Sequence, residues 1–277
     1  MYIFAGNNNC WEECAVKQME FEKNYYKKCI NTKIKLQGRC TMFHKLTHNV
    51  YYSDHEEKTD RPAIGYVMGE KYSLMIESGN SPSNVKDFFH SLDTNNLKRP
   101  DFVAVTHSHW DHSFGISYID AISIACNKTN KILRDMSSWK WTQELFSKYV
   151  SDGKIPLFCE PHINMEYPDL SEIHVRVADL SFKDEITIDL GNQLCILKNV
   201  VSPHTDDSVI VYIPNEKVVF LGDSIYEELV GNEWISHSDK LSELISELEN
   251  LDFNIAVEGH FAPKTKEVLI SSLKEKL

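Results

Sequence analysis

Four short apolar runs in this chain each end on a histidine or an aspartate, and this repeated arrangement constrains the fold more than any other feature. Phe102-Val103-Ala104-Val105 leads directly into Thr106-His107-Ser108-His109-Trp110-Asp111-His112. Leu194-Cys195-Ile196-Leu197 precedes Ser202-Pro203-His204, and another run, Val209-Ile210-Val211-Tyr212-Ile213, follows it. Val218-Val219-Phe220-Leu221 closes on Gly222-Asp223, and Ile255-Ala256-Val257 closes on Glu258-Gly259-His260. Runs of this length, rich in Val and Ile and bounded by turn residues, read as buried strands. In layered α/β folds, functional side chains gather in loops just beyond the strand ends. Folding is therefore expected to bring His107, His109, Asp111, His112, His204, Asp223 and His260 to one edge.

Imidazole and carboxylate are the nitrogen and oxygen donors that Zn²⁺ takes. A Gly-Asp after a strand, or a histidine standing alone, is more often a turn or a packed side chain. Four strand ends that each deliver a donor of the same kind point instead to a metal site.

The order H-x-H-x-D-H, lone His, Gly-Asp, Gly-His resembles the metallo-β-lactamase-fold hydrolase superfamily, over most of the chain from about Tyr51 onward. The resemblance implies an α/β (α+β) fold, a four-layer αββα sandwich with two zinc ions at one edge. One zinc would be held at His107, His109 and His204. The second would be held at Asp111, His112 and His260, with Asp223 bridging both. Leu74-Met75-Ile76-Glu77-Ser78-Gly79 resembles the family segment ahead of the metal motif, where Asp usually stands in place of Glu77. Asp206-Asp207-Ser208 replaces the more common Pro-Gly-Ser after the lone histidine. His109 stands where flavo-di-iron relatives carry Glu, and no flavodoxin-like domain follows. Zinc is thus expected over redox iron, although an N/O site also accepts Mn²⁺ or Fe²⁺.

Zinc lowers the pKa of bound water to about 7, so a bridging hydroxide can attack at neutral pH without a Ser or Cys nucleophile. Two Zn²⁺, two aspartates and one hydroxide leave the site at roughly +1 by formal count. Such a site favours a small-molecule substrate that is anionic or that becomes an oxyanion. Asp111 is the expected proton handler, as ligand and base or as ligand alone. Tyr226, three residues past Asp223, matches a tyrosine of lactone-cleaving relatives and could donate to the oxyanion. The expected reaction is cleavage of an ester, thioester or lactone carbonyl bond. Family members with an antibiotic role usually carry Cys where Asp223 stands, which argues against lactam hydrolysis. The alternatives are a phosphodiesterase or phosphonate hydrolase on the same dinuclear site, and a non-catalytic metal-bound sensor or binding module.

Composition narrows the partners. The formal net charge is −12 over 277 residues, which argues against nucleic acid. The chain shows no run of about 18 apolar residues that would span a membrane. The first residues carry acids and no apolar signal core, and seven cysteines form no repeated pairing pattern, so a cytoplasmic protein with reduced thiols is expected.

Residues 1–41 are rich in Asn, Lys and Cys and read as an N-terminal appendage, helical around 13–28, ahead of a hydrolase domain over 42–277. Cys10 and Cys14, with Cys29 and Cys40, lack the paired spacing of a zinc ribbon. Dimers are common in the family, which leaves a homodimer open. Residues 84–92 place Val85, Phe88, Phe89 and Leu92 on one helical face. Leu241, Leu244, Ile245, Leu248 and Leu251 do the same in a helix begun near Ser238, and 265–277 reads as a closing helix. Residues 131–175 interrupt the strand pattern. Inserts at this place in the family shape the substrate pocket, although packing is the expected role for Trp139, Trp141, Phe158 and Tyr167. The remaining histidines, His44, His48, His55, His90, His162, His174 and His237, fit no metal pattern.

Overall fold

The strands alternate strictly between two apolar faces, and this alternation builds the architecture. A computed structural model describes residues 42–277. The expected appendage helix and the four N-terminal cysteines lie outside those residues. The first sheet runs in chain order: β1 (Phe43–Lys45), β2 (Val50–Ser53), β3 (Gly65–Met68), β4 (Ser73–Ile76), β5 (Phe102–Ala104), β6 (Ile122–Cys126) and β7 (Leu180–Phe182). Strands β1 to β4 are antiparallel, and β4 to β7 are parallel. The second sheet contains β8 (Glu185–Asp189), β9 (Leu194–Asn199), β10 (Val209–Ile213) and β11 (Val218–Gly222). A separate hairpin, β12 (Glu228–Val230) and β13 (Glu233–Ile235), precedes β14 (Ile255–Glu258) and β15 (Lys264–Thr265). The order in this sheet is β15-β14-β11-β10-β9-β8, with β11 and β14 parallel.

Leu74, Ile76 and Ala104 of the first sheet share one buried cluster with Leu197, Val209, Val211, Val218, Phe220 and Val257 of the second. Their neighbours in sequence face outward. Met75 and Val103 pack on Val85, Phe88 and Leu92 of α1 (Pro82–Thr94). Ile210, Val219, Leu221 and Ala256 pack on Leu241, Leu244, Ile245 and Leu248. Those leucines and Ile245 belong to the helix Ser238–Asn250, and Leu269 and Leu273 of the helix Lys266–Lys274 join them. A period of two thus sends alternate residues to the inner and outer faces, giving helix, sheet, sheet, helix. This is the expected αββα sandwich. Both expected helices form where the i, i+3, i+4 spacing placed them, α1 being capped by the Ser81 hydroxyl on Asn84 N.

The short helix α2 (Trp110–Ser113) carries two of the expected ligands, and α3 (Asn127–Met136) follows β6. The interrupting segment folds as α4 (Gln143–Ser151) and α5 (Cys159–Glu166). The chain then ends on α6 (Ser238–Asn250) and α7 (Lys266–Lys274). The insert has its own apolar cluster of Trp110, Phe114, Trp141, Phe146, Ile163 and Tyr167. Trp141 and Tyr167 therefore pack, as expected, and Trp139 sits at the cluster edge. Phe158 differs, for it is 48 % exposed and lines the cleft. Among the described residues no helix is long and apolar enough to cross a membrane.

Candidate metal centre

The loops beyond β5, β9, β11 and β14 converge, and all seven expected donors meet there. They form two clusters: His107, His109 and His204 in one, and Asp111, His112, Asp223 and His260 in the other. Within each cluster the donor atoms lie within 4.8 Å of one another. His204 Nε2 is 3.1 Å from His109 Nδ1. His112 Nε2 and His260 Nε2 lie 2.8 and 3.1 Å from Asp111 Oδ2. Asp223 Oδ2 faces both clusters, at 3.3 Å from His112 Nε2, 3.4 Å from His260 Nε2, 3.7 Å from His204 Nε2 and 4.0 Å from His107 Nε2. None of the seven other histidines joins either cluster.

Two glycines make this convergence possible. Gly222 has φ 51°, and a Cβ there would stand 2.3 Å from Thr106 Oγ1. A Cβ on Gly259 would stand 2.0 Å from Asp223 Oδ1. The Gly-Asp and Gly-His pairs are thus steric requirements, since only glycine permits so close an approach.

The rings are oriented from behind. His204 Nδ1 donates to the Glu227 carbonyl at 2.7 Å, which leaves Nε2 to face the cluster. Glu77 Oε1 accepts from Thr106 Oγ1 at 2.6 Å, and Thr106 Oγ1 in turn stands 3.1 Å from His107 Nδ1. The same Glu77 oxygen is 3.1 Å from His112 Nδ1. One buried carboxylate therefore supports a ligand in each cluster. Asp207 Oδ2 accepts from Ser108 N at 2.8 Å and from Thr129 Oγ1 at 2.9 Å, which ties the His204 loop to the H-x-H turn. Neither Thr106 nor Asp207 was legible as a positioning residue in the sequence. Their only signal was adjacency to the motif and, for Asp207, the departure from Pro-Gly-Ser.

The electrostatics fit a cation site. His107 Nε2 and Asp223 Oδ1 are buried without a hydrogen-bond partner, and native interiors rarely leave such atoms orphaned. Burial, reinforced by neighbouring imidazoles, pushes His107 well below its ordinary range and His109 down to about 4. Both therefore present neutral lone pairs. For Asp111 and Asp223, burial opposes ionisation, but the facing His112 and His260 outweigh it and hold both carboxyls low. Reciprocally, burial is overcome at His112 and His260, and the latter is raised to about 10. In the ion-free cluster two imidazoliums thus supply the positive charge that divalent ions would supply. These observations together fit a dinuclear metal site.

Tyr226 lies beside the clusters, its ring 6.3 Å from His204 and 6.4 Å from His260. Its hydroxyl accepts from His260 N at 3.2 Å and donates to Glu258 Oε2 at 3.4 Å. Trp110 packs in the insert cluster and also lines the cleft.

Comparisons with known proteins agree with this geometry. The family model described as the metallo-beta-lactamase superfamily matches residues 62–260. A search of curated protein sequences returned no match. Among solved structures, the chain is similar to a metallo-beta-lactamase from Pontibacter korlensis, with 15 % identity, coverage of 84 % of this chain and 97 % of that one, and a TM-score of 0.59. The DIM-1 metallo-beta-lactamase gives 17 %, 86 %, 96 % and 0.59 in the same order. The sec-alkylsulfatase Pisa1 from Pseudomonas sp. gives 13 %, 85 %, 41 % and 0.61. At these identities the structural neighbours speak for the fold alone. The family match begins ahead of β3 and ends on the last expected ligand, His260, so it covers β3 to β14 and every donor of the two clusters. The chain belongs to the metallo-beta-lactamase superfamily.

Proposed function

We propose that this protein is a zinc-dependent hydrolase that cleaves an ester, thioester or lactone carbonyl bond. The observation that carries this reading is Asp223, whose single oxygen Oδ2 faces donors of both clusters within 3.3 to 4.0 Å. His107, His109 and His204 would hold one ion, and Asp111, His112 and His260 the other, with Asp223 shared. Two zinc ions would supply an ionised water at neutral pH and polarisation of the carbonyl oxygen.

The chain's own groups do the rest. Asp111 presents Oδ2 to His112 and His260, and its second oxygen takes the proton of the attacking water. Tyr226, at the cleft face, offers its phenolic O–H as a hydrogen bond to the carbonyl oxygen as negative charge develops there, turning it from the long Glu258 contact, and the proton taken by Asp111 passes to the leaving alcohol or thiol. Burial and the nearby Asp223 and Glu258 charges hold this phenol well above its ordinary range, so it stays protonated as a donor. Water adds across the acyl bond, giving a carboxylate, an alcohol or thiol, and one proton.

The test is a panel of a thioester, an ester, a lactone, bis-p-nitrophenyl phosphate and a secondary alkyl sulfate, offered to metal-loaded protein. Turnover of the carbonyl substrates is expected. His109→Ala and Asp223→Ala should lose zinc and activity together, read by elemental analysis beside the assay. Turnover confined to the phosphodiester or the sulfate would overturn the carbonyl reading.

A further inference from the structure

The cleft over the clusters has two chemically different ends. At the His260 end three aromatic rings from three separate segments stand half uncovered. They are Phe158 ahead of α5 (48 % exposed), Trp234 on β13 (51 %) and Phe261 just after the ligand (55 %). Phe158 and Trp234 meet edge to face with centroids 6.1 Å apart, and Phe158 also packs on His162 at 5.1 Å. Phe261 meets Tyr226 at 5.8 Å, so the rim continues into the metal centre. Large apolar side chains left exposed together mark a binding surface.

At the His204 end three lysines, Lys128, Lys131 and Lys240, line the cleft. Lys128 donates to the Asp206 carbonyl at 2.7 Å, and Lys240 Nζ is 3.1 Å from Asp206 Oδ1. Lys131, one turn along α3 from Lys128, is exposed and has no partner among the described residues. Asp135, Asp206, Asp207, Glu227 and Glu228 also line the cleft; Asp135 accepts from Trp139 Nε1, the buried Asp207 from Ser108 N and Thr129 Oγ1, and Glu228 faces His237 Nε2. Lys128 and Lys240 are thus held by Asp206, and Lys131 is the ammonium left without a counter-ion, in a chain whose formal net charge is −12. The cleft encloses about 2030 Å³, beyond the roughly 300–1,000 Å³ of ordinary small-ligand pockets.

We infer that the substrate is an amphiphilic ester, with a long or aromatic acyl group on the Phe158, Trp234 and Phe261 rim and an anionic leaving group at Lys128, Lys131 and Lys240. The scissile carbonyl then sits between the two ends, over the clusters. This deepens the hydrolase reading and rests on it for the position of that carbonyl.

The test uses N-acylglycines, which hold an acyl chain and a carboxylate on either side of a slowly cleaved amide. Their binding to the full chain, both metal-loaded and chelator-stripped, is measured by calorimetry for acyl lengths of C2 to C10. Kd should fall by up to about fourfold per methylene, the factor expected for burying a CH₂. Trp234→Ala and Phe158→Ala should each flatten that slope, while Val268→Ser, on an exposed face of α7, should keep it. Lys131→Glu should weaken every member by the same factor and leave the slope unchanged. The neutral N-acylglycinamides should bind more weakly than the acids. A flat chain-length series, a slope that survives both aromatic substitutions, or acids and amides that bind alike would each overturn the inference. Because binding is read without turnover, failure of the ester panel would strike the carbonyl reading alone.

Discussion

Glu77 sits at φ 70°, a left-handed conformation that costs a non-glycine residue about 1–3 kcal/mol. That strain aims its carboxylate at Thr106 and His112, beneath both clusters. Removing the carboxylate leaves the His107 and His112 rings unsupported. Glu77→Ala should therefore weaken zinc binding by about 10–100-fold, read by competition with a chromogenic chelator. Tyr226 offers a separable test, because it supports the His260 main chain without belonging to either cluster. Tyr226→Phe should keep full metal content and lower kcat on carbonyl substrates by about 10²–10³-fold, the effect of losing one oxyanion donor. Unchanged kinetics would leave the hydroxyl as a strut for the His260 loop.

The insert helix α5 is fastened to the sandwich by charge as well as by apolar contact. Arg61, fully buried, donates to Glu166 through Nε at 2.8 Å and Nη2 at 3.1 Å, and to Asp87 through Nη1 at 2.9 Å. Ser81 Oγ donates to the same Glu166 carboxylate, and Tyr167 donates to the Asn80 carbonyl at 2.9 Å. A buried pair is costly to break one side at a time, since the remaining charge is left in a poor solvent. Arg61→Met should destabilise the protein by about 3–5 kcal/mol in urea unfolding, and Arg61→Met with Glu166→Met should restore most of that loss. Equal destabilisation of the single and double variants would show that the ion pair is not what fastens the insert.

At the scale of the whole molecule, the two donor clusters tie folding to pH. In chelator-stripped protein His260 is raised from 6.5 to about 10, burial being outweighed by Asp223 and Asp111. A raised imidazole contributes stability that is complete below about pH 6.5 and is lost as pH climbs through about 10. Binding of a divalent metal at the clusters would have the opposite sign, because its ligands must give up protons. The Tm gap between metal-loaded and stripped protein should therefore widen between pH 6.5 and 10, as followed by calorimetry. A gap that narrows over this window would contradict the proposed ligand set. Asp111 and Asp223, held low, act only at acid pH and do not enter this window.

What the sequence determined by itself was the layer plan and the donors. Val209, Val218 and Val257 lie in short apolar runs that read as buried strands, and Val85, Phe88 and Leu92 at helical spacing share one helix face, whereas which sheet face each strand residue takes emerged only on folding. His107, His109, Asp111 and His112 are neighbours in the chain, and His204, Asp223 and His260 each follow a recognisable run, so their chemistry was legible before folding. Only the tertiary structure decided which groups stand behind them. Glu77 reaches His112 across 35 positions, and Asp207 reaches Ser108 across 99. Phe158, Trp234 and Phe261 come from three segments whose separations carry no period. Helical spacing encodes a residue's own face within an element, whereas contacts between elements depend on how the two sheets pack, and no local pattern records that.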